Sequence, residues 1–255
     1  MEQKVRSERN GDTVTITLCN PAKRNALSLD VLHALINAFG EAGESNATGI
    51  VLAAEGPVFS AGHNFGEMKG ASFDDAHELF TVCSSLIQMM HTVPQPIVAR
   101  VHALATAAGC QLVASADLAV AARSASFAIP GGKGGLFCHT PLVAVARNIP
   151  RKQAMEFAMS GDAVSAETAL QWGLVNEVVE DGSLDDAVAA LLARVTRGSA
   201  WSKALGKKTF YEQVNMPEAE AYAFASAVMA DAVTGDAAQE GIAAFLDKRE
   251  ARFPR

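Results

Sequence analysis

The sequence predicts an α/β layer protein whose C-terminal part is helical, and three observations carry that prediction. Short apolar runs that do not alternate, "GIVLAA" (49–54), "PIVARV" (96–101) and "DLAVAA" (117–122), fit strands buried on both faces. Segments with apolar residues at helical spacing lie between them, the order that builds a sheet covered by helices. After "GLVNEVV" (173–179) the strand signals stop.

Taken in order, "TVTITL" (13–18) alternates Val14, Ile16 and Leu18 with threonines, which predicts a strand with one buried face ended by Asn20 and Pro21. Ser28 is an N-cap, and Leu29, Leu32, Leu35, Ile36 and Phe39 follow at the spacing of an amphipathic helix. A second helix is predicted over "DDAHELFTVCSSLIQMMH" (74–91). From about Leu184 onward the chain reads as helices separated at Gly198, Pro217 and Gly235. A boundary is therefore expected near residue 195, dividing an α/β core (1–195) from a helical region (196–255). No fixed-period repeat and no low-complexity stretch interrupts this organisation.

With 255 residues, 49% of them hydrophobic and 19% charged, the chain can bury one sizeable core. A formal charge of −7 argues against a broad nucleic-acid surface, which needs clustered Lys and Arg, so no nucleic-acid partner is expected. Cys19, Cys83, Cys110 and Cys138 lie far apart without a CxxC pair, which indicates neither a zinc ribbon nor a disulfide framework and suits a reducing compartment. The start, "MEQKVRSERNGDTVTITL", has no apolar signal core, and no later run is long enough to span a bilayer. The expectation is a soluble, cytoplasmic protein without a membrane partner.

Two stretches carry chemistry. "VARVHALATAAGCQL" (98–112) reads as strand, small-residue turn and helix start. Small residues there let a ligand approach the backbone, and the first N–H groups of a helix have no intrahelical acceptor. Ala107, Ala108 and Gly109 therefore mark either a site for an oxygen gaining negative charge or simply tight packing. "GPVFSAGHNFGEM" (56–68) also follows an apolar strand, and Gly62 permits a sharp turn that exposes the N–H of His63. Two such loops could aim two backbone donors at one carbonyl oxygen.

The motifs "NPAKRNALS" (20–28), "FSAGHNF" (59–65), "VHALATAAGCQLVASADLAVA" (101–121), "SGDAVSAETALQWGLVNEVV" (160–179) and "EGIAAFLDKREARF" (240–253), in this order over nearly the whole chain, resemble the crotonase, or enoyl-CoA hydratase/isomerase, superfamily. The resemblance implies a spiral of ββα units with a C-terminal helical trimerisation region, trimers that often pair into hexamers, and an acyl-CoA thioester as ligand. No separate cofactor or metal is implied, coenzyme A being part of the substrate. The oxyanion hole would be the backbone N–H groups of His63 and Ala108. Ala61, Gly62, Asn64, Phe65, Gly66, Gly109 and Gly131 would border the substrate. Lys23 and Arg24 would contact CoA phosphates or form a solvated turn. Lys248, placed in the terminal helix, would reach a neighbouring subunit's CoA or lie on a solvated face.

The departures matter equally. The two glutamates of the family's hydratases align with Gln111 and Gly131, and neither an amide nor a glycine can exchange a proton near neutral pH. The two-glutamate mechanism is absent. His139 lies where related dienoyl isomerases and dehalogenases place an aspartate, and an unperturbed pKa of about 6.5 suits a base, although a histidine after a glycine-rich loop can equally be structural. Gln111 either orients water or the acyl group, or fills the helix start. "PGGKGG" (130–135) lacks the Ser or Thr a phosphate loop needs after Lys133, and "HELFT" (77–81) lacks the second histidine of a zinc site. The expected function is hydratase- or isomerase-type chemistry on a thioester enolate, against a non-catalytic acyl-CoA binder or a thioester hydrolase. Phe65, Met68, Phe80, Leu136 and Phe137 are the candidates for shaping the acyl pocket.

Overall fold

Apolar runs without a polar face need cover on both sides of their sheet, and the protein supplies it. The structure, a computed structural model, describes residues 3–253. In chain order it forms β1 (Val5–Asn10), β2 (Thr13–Leu18), α1 (Leu29–Glu44), β3 (Gly49–Ala54), α2 (Phe65–Met68), α3 (Phe73–Thr92), β4 (Ile97–Val101), β5 (Ala105–Thr106) and α4 (Ala108–Ser115). There follow β6 (Leu118–Ala122), β7 (Ser126–Ala128), α5 (His139–Val145), α6 (Arg151–Ser160), β8 (Val164–Ser165), α7 (Ala166–Trp172) and β9 (Glu177–Val179). The chain then runs through α8 (Leu184–Thr196), α9 (Ala200–Gln213), α10 (Glu218–Thr234) and α11 (Asp236–Leu246).

The main sheet has six strands in the order β1-β2-β3-β4-β6-β9, with β1 antiparallel to β2 and the remaining pairs parallel. Successive side chains of its central strands enter different cores. Ile50, Leu52, Ile97, Ala99, Ala119 and Ala121 join the large cluster containing residues of α1, α3 and α4. Val51, Ala53, Val98, Val120 and Ala122 pack instead with Leu184, Val188, Leu191 and Leu192 of α8. Both faces being dry removes the polar half of the period-2 pattern, which explains the unbroken apolar runs. A small second sheet, β5-β7-β8, sits where the candidate site is built.

Local signals behave as their chemistry dictates. The Ser28 hydroxyl caps α1 by accepting the Val31 N–H, and Ser72 with Asp75 forms a reciprocal capping box at the start of α3. Two features escape apolar patterning. β1 is a mostly exposed edge strand, "VRSERN", whose charged residues discourage further strand pairing, and β7 and β8 are too short to show a period.

The helices α8 to α11 break where Gly198, Pro217 and Gly235 stand. The placement of Lys248 in the terminal helix is corrected: α11 ends at Leu246, and Lys248 lies beyond it in a left-handed turn at φ 54°. The Arg249 N–H donates to the Ala244 carbonyl at 3.0 Å, the backbone bond that closes a helix C-terminus. Glu240 holds the returning chain through two bonds from the Arg249 guanidinium, at 2.7 and 2.8 Å.

One buried ion pair fastens α9 to the sheet. The Asp117 carboxylate, just before β6, accepts from Lys207 Nζ at 2.7 Å, Tyr211 Oη at 2.9 Å and the Ile97 N–H at 2.7 Å. Lys207 also donates to the Gln95 carbonyl at 2.9 Å. With side chains only 9% and 15% exposed, Lys207 and Asp117 cannot fall back on water if either is lost. Lys207→Met should lower unfolding free energy by about 3 kcal/mol, read by urea denaturation, because it strands a buried carboxylate.

Candidate active site

The site is built where two loops meet. After β3 the chain turns at Gly62, φ 82°, and the β-bridge between Leu27 and His63 holds the turn's far side. After β4 it passes through β5 to Ala107, which takes φ 50° and ψ −119° before α4 begins. That is a conformation glycine prefers, and a non-glycine residue there costs on the order of 1–3 kcal/mol. The Ala107 N–H is held by the Ala128 carbonyl at 2.9 Å, so the second sheet helps maintain the strained turn.

Absent Cβ atoms let the loops touch. A Cβ on Gly62 would lie 2.8 Å from the Ala107 Cβ and 3.0 Å from the Ala108 nitrogen, and one on Gly109 would lie 2.5 Å from the Ser60 carbonyl oxygen. Among the described residues, the N–H groups of His63 and Ala108 donate to no protein acceptor, whereas the neighbouring Gly62 N–H is taken by Ser60 Oγ at 3.2 Å and the Gln111 N–H by the Ala107 carbonyl at 3.1 Å. Two uncommitted amides on touching loops form a donor set suited to an oxygen that gains negative charge.

A cavity of about 520 Å³ opens at this junction. Ala61, His63, Phe65, Ala108, Gly131 and His139, all singled out in the sequence, line it. So do Met68, Phe80, Leu136 and Phe137. The other candidates lie elsewhere. Gln111 is 4% exposed within α4 and does not belong to the lining, and among the described residues its Oε1 has no hydrogen-bond partner. Gly62 and Gly109 act through close packing, Asn64 caps α2 by accepting the Gly66 N–H at 3.0 Å, and Lys23, Arg24 and Lys248 are exposed outside the cavity.

The most informative lining residue is Gly131. A Cβ there would run into the Leu136 carbonyl oxygen and come within 2.8 Å of Cys138 Sγ, which already accepts the Gly131 N–H at 3.3 Å. The segment from Pro130 to Cys138 thus folds back into the space that a side chain at 131 would need. Position 131 is therefore closed to any side chain.

Titratable groups divide sharply. Both His63 ring nitrogens are buried without a hydrogen-bond partner among the described residues, the ring standing edge-on to Phe80 with centroids 5.2 Å apart. Burial pulls its pKa down, offset in part by the Leu27 backbone and Glu67, so the ring is a neutral wall. His139, first residue of α5, is exposed at the cavity mouth, its ring centroid 5.2 Å from that of Phe137. Burial pushes the Cys110 thiol up to about 12 and also raises Cys138, so neither is a thiolate nucleophile near neutrality.

With this geometry in view, relatives are informative. A family profile described as enoyl-CoA hydratase/isomerase matches residues 8–255. The chain belongs to the enoyl-CoA hydratase/isomerase family. Rat "Enoyl-CoA hydratase domain-containing protein 3, mitochondrial" is 45% identical over 251 residues, covering 97% of this chain and 84% of the relative. A solved enoyl-CoA hydratase from Mycobacterium smegmatis superposes with a TM-score of 0.96 at 42% identity, covering 99% of each chain. Solved human enoyl-CoA hydratase domain-containing protein 3 gives 0.94 at 40% identity, covering 98% of this chain and 100% of that one. The α/β crotonase-type fold expected from the motifs is the fold observed.

These relatives also correct the cytoplasmic expectation. The domain-containing protein 3 relatives from rat, mouse, zebrafish, frog and human are all named mitochondrial. The cytoplasmic reading rested on free thiols and on the start of this chain, and thiols report a reducing compartment without saying which one. No described helix is long and apolar enough to cross a membrane.

Sequence reading did not single out Thr106, Pro130, Cys138, Thr140 and Pro141, which also line the cavity. Thr106 adjoins Ala107, and the other four flank Gly131 and His139 within residues 130–141; none of them carries a periodic signal.

Two outcomes test this geometry. Gly109→Ala should destabilise the fold by about 1–3 kcal/mol in chemical denaturation, because its methyl group meets backbone and not a movable side chain. His63 binds its proton less readily folded than unfolded. The unfolded chain therefore takes up the extra proton as pH falls below the usual histidine value of about 6.5, and stability declines through that window. His63→Leu should flatten this part of a stability-versus-pH curve.

Proposed function

We propose that the protein binds an acyl-CoA thioester in the cavity between the two loops and acts on it as an enolate-forming isomerase, not as a two-carboxylate hydratase. The observation that carries the reading is the pair of uncommitted amides, His63 and Ala108, on loops in contact. Their role is an oxyanion hole: both would donate to the thioester oxygen as proton loss at the α-carbon places negative charge there. One such donor is worth about 3 kcal/mol in the transition state.

The enolate then needs only a group that removes a proton from one carbon and returns it at another. His139 at the cavity mouth is the proposed carrier. It would take the α-proton of a β,γ-unsaturated thioester onto a ring nitrogen while the electron pair moves into the thioester carbonyl, then deliver that proton to the γ-carbon as the double bond moves to the α,β position. Closure around Gly131 supports relocation over hydration, since a hydratase needs a second carboxylate to manage the added water. Lys23 and Arg24, on the exposed turn adjoining the Asn25–Ser60 contact, are proposed for the CoA phosphates. Lys248 on its left-handed turn is proposed for a neighbouring subunit's CoA.

The same closure favours one second reading, an acyl-CoA binder without turnover, because neither Gln111 nor Gly131 supplies a carboxylate. The proposed assembly is a homotrimer or a dimer of trimers. Supporting it, Trp201, Phe210, Tyr222, Met229, Phe245 and Leu246 of α9 to α11 expose large apolar surfaces, and α10 buries none of its residues in the protomer.

Incubation with straight-chain and branched β,γ-enoyl-CoAs, alongside crotonyl-CoA and other conjugated enoyl-CoAs, followed by product analysis, decides between these readings. Double-bond relocation is expected in at least one, and His139→Ala should abolish it with CoA affinity nearly unchanged. Tight binding by calorimetry with no product from any would establish the binder.

A further inference from the structure

Ser60 lies where three segments converge and takes part in all of them. It is completely buried, and its hydroxyl donates to the Asn25 carbonyl at 2.8 Å and accepts the Gly62 N–H at 3.2 Å. Its own carbonyl accepts the Thr106 N–H at 2.9 Å, and its backbone abuts Gly109 at the start of α4. One residue therefore bonds to the turn that carries the His63 amide and to the strand that leads into the Ala108 amide.

The third segment is the turn bearing Lys23 and Arg24. Asn25, 1% exposed and at φ 51°, donates its side-chain amide to the carbonyls of Glu55 at 2.7 Å and Val58 at 3.0 Å, and its side-chain oxygen accepts the Asn20 N–H at 2.9 Å. The Arg24 carbonyl accepts the Ala61 N–H at 3.0 Å. The exposed basic turn is thereby tied to the Gly62 turn on both sides of Ser60.

We infer that the Ser60 hydroxyl, braced by Asn25, is the positioning group that sets the direction of the His63 amide relative to that of Ala108. The chemistry follows from what each hydrogen can do. By taking the Gly62 N–H, Ser60 Oγ fixes the peptide just before the donor, leaving the next N–H, that of His63, as the one turned out. By donating to Asn25, the same oxygen is kept from swinging away. Ser60 does not line the cavity, and both of its hydroxyl roles are filled, so it touches no ligand and acts through the amide. Donors of this kind help only when aimed in advance, and a displacement of about 1 Å in a reacting geometry can cost on the order of 100-fold.

This inference rests on the proposed acyl-CoA site, and its test separates the two. A conjugated aryl-enoyl-CoA is titrated into the protein. The affinity reports binding, and the red shift of the ligand's absorbance reports polarisation of its carbonyl. In Ser60→Ala the red shift should fall by about half or more while Kd stays within about threefold, a split that a general structural weakening would not give. Ser60→Cys, which keeps a weak donor and acceptor at the same place, should recover part of the shift.

Hydrogen exchange on the intact protein keeps the inference testable if Ser60→Ala does not fold. The Gly62 amide should be protected without ligand, and the His63 amide only after the aryl-enoyl-CoA is added. No red shift in the unaltered protein overturns the proposed function and this inference with it. A full red shift in Ser60→Ala, or an unprotected Gly62 amide, overturns the inference alone.

Discussion

Everything distinctive about this protein depends on how closely the Gly62 turn approaches the first residues of α4. Two backbones can lie that near only where side chains are missing, and both Gly62 and Gly109 would drive a Cβ into the opposite segment. Contact alone would not suffice. Ala107 must also hold an unfavourable backbone conformation, sustained by its bond to β7 and by tight neighbours on the Gly62 side. Local strain of this order persists because the surrounding packing over-determines the turn. The result is a pair of amides without a protein acceptor among the described residues, at the edge of a cavity.

The fold makes that arrangement affordable by placing the loops after buried parallel strands. β3 and β4 are paired in register and covered on both faces, so the segments leaving them start from rigid positions. α8 seals the face opposite the larger core. α9 is fastened separately through Asp117, Lys207 and Tyr211, a polar joint beside the sheet, whereas α10 and α11 add little burial within the protomer. The rigid and the weakly anchored parts of the chain are therefore different parts, and the cavity belongs to the rigid one.

Positions 111 and 131, where the motif resemblance leads one to expect the glutamates of family hydratases, sit in unlike surroundings. Gln111 keeps the shape of a glutamate and changes its chemistry, exchanging an ionisable group for an amide that stays buried. At Gly131 the chain from Pro130 to Cys138 occupies the space that a side chain would need. A carboxylate could be written back at 111 with little geometric change, but at 131 the backbone stands in the way.

Sequence alone determined the layer order, because burial on both faces leaves unbroken apolar runs and burial on one leaves alternation. It also located the two loops, since Gly62 and the Ala107–Gly109 stretch follow apolar strands, and Ser28, Gly198, Pro217 and Gly235 punctuated the helices by their own backbone chemistry. Tertiary structure decided what such signals do not encode. α11 ends before Lys248 in a left-handed turn closed by the Arg249 N–H on the Ala244 carbonyl, with Glu240 holding the Arg249 guanidinium. The retreat of Gln111 from the cavity lining, the meeting of Thr106, Cys138 and Pro141 in one cavity, and the junction at Ser60 arise between segments far apart in the chain, and the closure over Gly131 arises inside an irregular loop that has no period to read. A pattern of spacing records which face a residue shows to its own element. It holds no record of which distant carbonyl will occupy the space beside it.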